Sequence, residues 1–177
     1  MAEWWLAYYL QIPVVIGGVL HMVVVSRGAL PGLAVPVQRR LFGVNKTWRG
    51  FVVVPLLTAA AALLLLPLEW HLGTQAPIGA ERLAATGFFA GLGYVLGELP
   101  NSFFKRRLGI AAGTTPARGR RFFLLLDQFD SALGVALAYA FCGIAPLACL
   151  LFALTFPLTA LGVKRLLFMA QLKASPA

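Results

Sequence analysis

The chain has 177 residues, 60% of them hydrophobic and 12% charged, with a formal net charge of +9. A soluble domain is nearer half apolar and a quarter charged, and one water-facing fold of this length cannot hide so much apolar surface. Composition therefore excludes an ordinary soluble globule and leaves a single membrane domain, residues 1–177.

The first apolar run, residues 4–25, is too long for a signal-peptide core. It has no basic stretch before it and no small-residue cleavage site after it, so it reads as a spanning helix. A basic segment, 26–50, follows. The second run is 51–68 and the third is 83–99. A second basic segment covers 100–121. The fourth run, 122–141, contains two aspartates, and the fifth covers 144–165. Each approaches the roughly 20 residues that a helix needs to cross a bilayer core. The runs do not alternate apolar with polar and are twice the length of a barrel strand, which excludes a β-barrel. Helices remain, because lipid leaves the backbone no other way to satisfy its hydrogen bonds. The expected fold is all-α: a polytopic membrane protein of about five transmembrane helices. The spacing Gly87-x-x-x-Gly91 in the third helix permits close packing, within the chain or in a homodimer.

Charge orients these helices. Arg27, Arg39, Arg40, Lys46 and Arg49 lie in the first basic segment. Lys105, Arg106, Arg107, Arg118, Arg120 and Arg121 lie in the second, and Lys164, Arg165 and Lys173 lie near the C-terminus. Only Arg82 falls on the opposite side. Lys and Arg accumulate on cytoplasmic loops. The pattern predicts an outside N-terminus, a cytoplasmic C-terminus, and residence in the cytoplasmic membrane with loops 26–50 and 100–121 facing the cytoplasm. Part of this charge serves orientation and attraction to anionic head groups. The rest suits phosphate-bearing ligands at the membrane surface. Nucleic acid is excluded as a partner, since no nucleic-acid motif accompanies the charge.

Cys142 and Cys149 have neither zinc nor redox spacing and read as small packing residues. His21 reads as a helix–helix hydrogen-bonding group. Of the six acidic residues, Glu3, Glu69 and Glu81 fall on the outer side and carry no functional signal. Glu98 ends the third helix on the cytoplasmic side. Asp127 and Asp130 sit in the first turns of the fourth, just inside the same face. A carboxylate within a spanning helix is costly and faces the protein interior or water, with a partner. Residues three apart share a helix face, so Asp127 and Asp130 repel each other unless something positive stands between them. Oxygen ligands in this pattern suit Mg²⁺, which typically binds one or two carboxylates together with substrate phosphates. An internal salt bridge to Arg106, Arg107 or Arg121 is the structural alternative.

Two polar segments face the same side. Residues 41–50 read LFGVNKTWRG and residues 97–109 read GELPNSFFKRRLG. They combine glycines for close backbone approach with Lys, Arg, Asn, Ser and Thr for phosphate oxygens. F-G-x-N-K-T-x-R-G, then G-E-L-P-N-S-F-x-K-R-R-L-G-I, then D-Q-x-D-S resembles the CDP-archaeol synthase family. These are small five-helix membrane cytidylyltransferases related to the CDP-diacylglycerol synthases. The resemblance covers about half of the chain, residues 42–131.

The resemblance implies an enzyme that transfers CMP from CTP to a lipid phosphate, giving a CDP-lipid and pyrophosphate with Mg²⁺ as cofactor. Asp127 and Asp130 would hold the metal. Lys46 and Arg49 would contact phosphates of CTP or the lipid, while Lys105, Arg106 and Arg107 would neutralise the departing pyrophosphate. Asn45, Thr47, Asn101 and Ser102 would orient phosphate oxygens or the nucleotide. Glu98 would hold a basic residue in place or join the metal's outer shell. Other lipid-phosphate enzymes fit less well. A CDP-alcohol phosphotransferase needs two further aspartates, and a lipid phosphate phosphatase needs histidines near the cluster. A transporter puts its ionisable groups near the midplane, often within internal repeats, and neither feature is evident here.

Overall fold

The computed structural model describes residues 2–114 and 119–169. Arg118 and Lys173, counted above as cytoplasmic cations, lie outside the described residues, and the side chains of Arg120 and Arg121 lie outside those described. In chain order the elements are α1 (Ala2–Tyr9), α2 (Gln11–Ser26), a 3-10 turn (Pro31–Leu33), α3 (Arg39–Phe42), α4 (Trp48–Leu63), α5 (Leu66–Leu72), a second 3-10 turn (Gly73–Gln75), α6 (Leu83–Arg107), α7 (Arg120–Phe141) and α8 (Pro146–Met169). Among the described residues β structure is limited to one isolated bridge, Pro36 to Thr47. The all-helical expectation holds.

Three helical stretches are long and apolar enough to cross a bilayer: Ala2–Ser26, which joins α1 to α2, then α6 and α8. α4 and α5 make a fourth if the 44° bend between them lies within one span. Pro67 explains the bend. It sits in the first turn of α5, where its fixed φ suits a helix start. Its ring obstructs the carbonyl four residues back, that of Leu63, the last residue of α4. α7 has 22 residues and packs between α6 and α8.

One boundary differs from the sequence expectation. The sequence pattern ends the third helix at residue 99, before Pro100, and opens a loop at residue 100. Instead α6 runs unbroken through Pro100 to Arg107. Pro55 and Pro157 are likewise interior to α4 and α8. Neighbouring helices re-satisfy the backbone groups that such prolines free. The second polar segment therefore rides on a helix as far as Arg107, which fixes the directions of Asn101, Ser102, Lys105, Arg106 and Arg107.

Large apolar side chains face outward. Leu137 and Leu158 are each 72% exposed, and Trp4, Trp5 and Trp70 are also open. An apolar surface this extensive belongs in lipid. Small residues make the inner contacts. On one side of α6, Gly87 and Gly91 meet Thr58, Ala62 and Pro55 of α4, so the Gly87-x-x-x-Gly91 spacing is used within the chain. On the other side, Gly93 and Gly97 lie against the α7 backbone. A Cβ at Gly134 would stand 2.1 Å from the Gly93 carbonyl oxygen, and one at Gly97 would stand 2.4 Å from that of Asp130. Gly134→Ala is expected to cost about 1–3 kcal/mol by overpacking. Gly18→Ala, where a new Cβ meets nothing within 4 Å, is expected to leave stability unchanged. Thermal unfolding of the two variants in detergent checks the contrast.

Glu69 departs from its sequence reading. It is 1% exposed. Its carboxylate accepts a hydrogen bond from the Tyr9 hydroxyl and others from the backbone N–H groups of Ile78 at 3.3 Å and Gly79 at 2.8 Å. It ties α1, α5 and the turn before α6 together at the end of the bundle away from Asp127 and Asp130.

Candidate active site

The glycine contact between α6 and α7 determines where the carboxylates lie. Because Gly97 touches the Asp130 backbone, the next turn of α6 comes level with Asp127 and Asp130. Asn101 and Lys105, four apart and on one helix face, then point at the pair. Asn101 Nδ2 donates to Asp127 Oδ1 at 2.5 Å and to Asp130 Oδ2 at 2.8 Å. Lys105 Nζ forms an ion pair with Asp127 Oδ1 and donates to Oδ2 at 2.6 Å. Lys105 is 7% exposed and its ammonium also lies 5.6 Å from the Phe123 ring centroid. Asp130 Oδ1 accepts from the Ser131 backbone N–H at 2.5 Å. Repulsion between the two aspartates is thus offset by Lys105 and a bridging amide, not by Arg106 or Arg107. The two carboxylates converge on one point. Among the described residues no cluster of three or more His, Cys, Asp or Glu side chains forms a ligand set.

A second charged pair stands beside the first. Lys46 and Glu98 form an ion pair, and both lie within electrostatic reach of Asp130. The loop carrying Lys46 is closed on itself. Val37 N–H donates to the Lys46 carbonyl at 2.8 Å and Trp48 N–H to that of Val35 at 3.0 Å. Gly43 allows the turn between, with φ of 89°, a region glycine occupies without steric cost. A Cβ there would be 3.0 Å from the Ala112 Cβ and 3.4 Å from Arg106 Nη1. The two basic segments therefore touch, and Arg106 packs at that contact.

Beneath Lys46 opens a cavity of about 720 Å³ between α2, α4, α6 and α8. Its depth is apolar, with Val14, Val19, Val54 and Phe156 in the wall. Its mouth is polar, with Asn45, Lys46, Thr47, Arg49 and Glu98. His21 opens onto this cavity. Arg49 Nη1 donates to the Ala29 carbonyl at 3.1 Å, while its Nε is buried without a hydrogen-bond partner.

The sequence-derived residues divide accordingly. Asp127, Asp130, Asn101 and Lys105 form one cluster. Lys46, Glu98, Asn45, Thr47 and Arg49 border the cavity. Ser102 is half-buried on α6, one position round from Asn101. Arg107 lies outside both groups, exposed, with its guanidinium 5.0 Å from the Phe103 ring centroid. Sequence reasoning passed over Lys164, which lines the cavity, and Gln128, which bonds to it. Gln128 was visible inside the D-Q-x-D motif. Lys164 reads from the sequence only as a marker of orientation.

A sequence model of the family described as CarS-like CDP-archaeol synthase matches residues 6–173. A CDP-archaeol synthase of Staphylothermus marinus is 31% identical over 147 residues, covering 80% of this chain and 70% of that protein. A CDP-archaeol synthase of Methanopyrus kandleri is 37% identical over 101 residues, covering 57% of this chain and 49% of its own. One of Thermococcus onnurineus is 38% identical over 104 residues, covering 58% and 54%. The alignments with the latter two thus span about half of those relatives. No solved structure gives a significant match.

Proposed function

Because the chain belongs to the CDP-archaeol synthase family of CTP-dependent cytidylyltransferases, we propose that it transfers CMP from CTP to a lipid phosphate at the cytoplasmic face of the cytoplasmic membrane. The carrying observation is that the Asp127–Asp130–Asn101–Lys105 cluster adjoins a cavity with an apolar depth and a basic mouth. A polar nucleotide suits the first and a lipid phosphate suits the second. The topology that goes with this reading has five spans, with α7 as the fourth, the N-terminus outside and the C-terminus in the cytoplasm. It places the basic ends of α2, α4, α6, α7 and α8 on the side where CTP is found.

The donor set fits a divalent cation. Asn101 Nδ2 occupies the point on which both carboxylates converge, and Asn101 Oδ1 is buried without a hydrogen-bond partner. Turning this amide over exchanges its oxygen and nitrogen. It would then add a third oxygen to the two carboxylates, the hard-ligand chemistry that Mg²⁺ takes. Asp127, Asp130 and Asn101 are the residues that would hold it. When bound, such an ion neutralises charge on the triphosphate.

The chain's own residues supply positioning and charge. A phosphate monoester has a second pKa near 6, so the lipid phosphate is a dianionic nucleophile at neutral pH and needs no general base. One of its oxygens attacks the α-phosphorus of CTP. The bond from that phosphorus to the α,β-bridging oxygen breaks, and pyrophosphate leaves with the electron pair. Lys105 stands where it can turn from Asp127 to the leaving pyrophosphate. Lys46, held by Glu98, meets the lipid phosphate at the cavity mouth, and Asn45, Thr47 and Ser102 orient phosphate oxygens. Preorganised charge of this kind supplies most of the acceleration in phosphoryl-type transfers.

The test is incubation of purified protein in detergent with α-phosphate-labelled CTP, Mg²⁺ and either phosphatidic acid or an isoprenoid ether phosphate. Label is expected in a CDP-lipid. Chelation of the metal is expected to stop its formation, and added Mg²⁺ to restore it. Folded protein that labels neither lipid would sink the reading.

A further inference from the structure

His21 is the one polar side chain between Val14 and Val25 on α2. The sequence pattern makes it a helix–helix hydrogen-bonding group, but the structure gives it no such bond. Among the described residues neither of its ring nitrogens has a hydrogen-bond partner. It is half-buried and lines the cavity, where Glu98, Arg49 and Lys46 lie within electrostatic reach. A polar, ionisable group in a spanning helix is costly, and one that faces a cavity is placed for what fills that cavity.

The level of His21 in the wall indicates what that is. Val14, in the apolar depth, lies about 10.5 Å of helix rise below it, and Ser26, at the mouth, lies about 7.5 Å above. One turn deeper than His21, Gly18 leaves the wall bare, since a Cβ there would meet nothing within 4 Å. On the α6 wall Tyr94 stands one turn below Glu98, and its hydroxyl is already engaged with Glu98 and Ser131. His21 is therefore the hydrogen-bonding group left open between the basic mouth and the apolar depth.

We propose that His21 binds the acceptor lipid below its phosphate, donating a hydrogen bond to an oxygen that joins the glycerol to its chains. The assignment rests on the reading of the cavity given above. With the phosphate at Lys46 and the chains among Val14, Val54 and Phe156, the linkage oxygens are the polar atoms that come to the level of His21. A neutral imidazole carries one donor and one acceptor, so the contact needs no charge. Ester and ether lipids both offer an oxygen there.

Two competing roles, packing of α2 and contact with the phosphate itself, are separated by kinetics. His21→Phe keeps a ring and removes both hydrogen-bonding atoms, whereas His21→Gln keeps a donor and an acceptor. Both would be assayed in detergent with labelled CTP and whichever of phosphatidic acid and an isoprenoid ether phosphate the wild-type protein uses. His21→Phe is expected to raise KM for the lipid phosphate about tenfold, while KM for CTP stays within about twofold. His21→Gln is expected to recover most of the loss. A long-chain alkyl monophosphate has the phosphate and the chain but no linkage oxygen. Its inhibition constant as a competitor of the lipid is expected to be the same in wild type and His21→Phe. An unchanged lipid KM in His21→Phe would overturn the assignment, as would equal rises for lipid and CTP. So would an alkyl phosphate weakened as much as the lipid, or one that fails to compete with the lipid in wild type. CDP-lipid formation by wild type would uphold the broader reading in each of these cases, and its absence with every lipid phosphate would overturn both.

Discussion

Asp127→Asn is expected to lower CDP-lipid formation by about 100- to 1,000-fold, the range seen when a group that organises transition-state charge is removed. It also changes stability, because Lys105 loses its counter-charge. The Lys105 side chain is 9% exposed and that of Asp127 is 31% exposed. The pair is partly screened, so the loss is about 1–3 kcal/mol. A second substitution separates the two effects. Combining Asp127→Asn with Lys105→Met removes both charges, and the melting temperature is expected to recover towards wild type while activity stays absent. Recovery of activity together with stability would mean that the pair only holds α6 to α7. Turnover and thermal unfolding of the same preparations decide between these outcomes.

Exchanging the partners of the second pair is the other large effect. Lys46→Glu combined with Glu98→Lys keeps an ion pair across the same gap, so the loop stays tied to α6. It also puts an anion where Lys46 borders the cavity and moves the cation to the α6 side, where Glu98 stands. Opposing like charges cost several kcal/mol, so kcat/KM for the lipid phosphate is expected to fall at least about 100-fold in protein that still folds. Glu98→Gln alone leaves Lys46 in place but less firmly held, and about tenfold is expected. If the exchanged variant were as active as wild type, it would not matter which of the two positions carries the cation, and the lipid phosphate would have to bind elsewhere. Initial rates at varied lipid phosphate measure this directly.

Much of this site is legible in the sequence because costly features stand out. Asp127 and Asp130 interrupt an apolar run, and only a partner or a ligand compensates for that. Lys46, Asn101 and Lys105 stand in polar stretches too rich in Gly, Asn and Arg for plain linkers. The helical class follows from run length. Other features depend on tertiary contact and leave no local trace. Pro100 reads as a stop, yet packing against α4 and α7 carries α6 past it. Glu69 reads as an outer loop charge, because nothing nearby in sequence announces Tyr9 as its partner 60 positions away. Arg106 and Arg107 look like natural partners for the aspartates, but helix rotation gives that role to Asn101 and Lys105. Lys164 looks like a topology marker until α7 places Gln128 beside it.

The sealed carboxylate of Glu69 also imposes an order on biogenesis. Its three donors come from Tyr9, at the start of the chain, and from Ile78 and Gly79, which leave the ribosome after Glu69 itself. Until both flanks arrive, the carboxylate must stay in contact with water at its end of the bundle, because lipid offers it no donors. The N-terminal helix must therefore stay beside α5 and cannot drift off in the bilayer. The seal closes only when the turn before α6 has reached it. Closure of this end thus draws on α1, α5 and the turn before α6 alone, and does not wait for the end that carries Asp127 and Asp130.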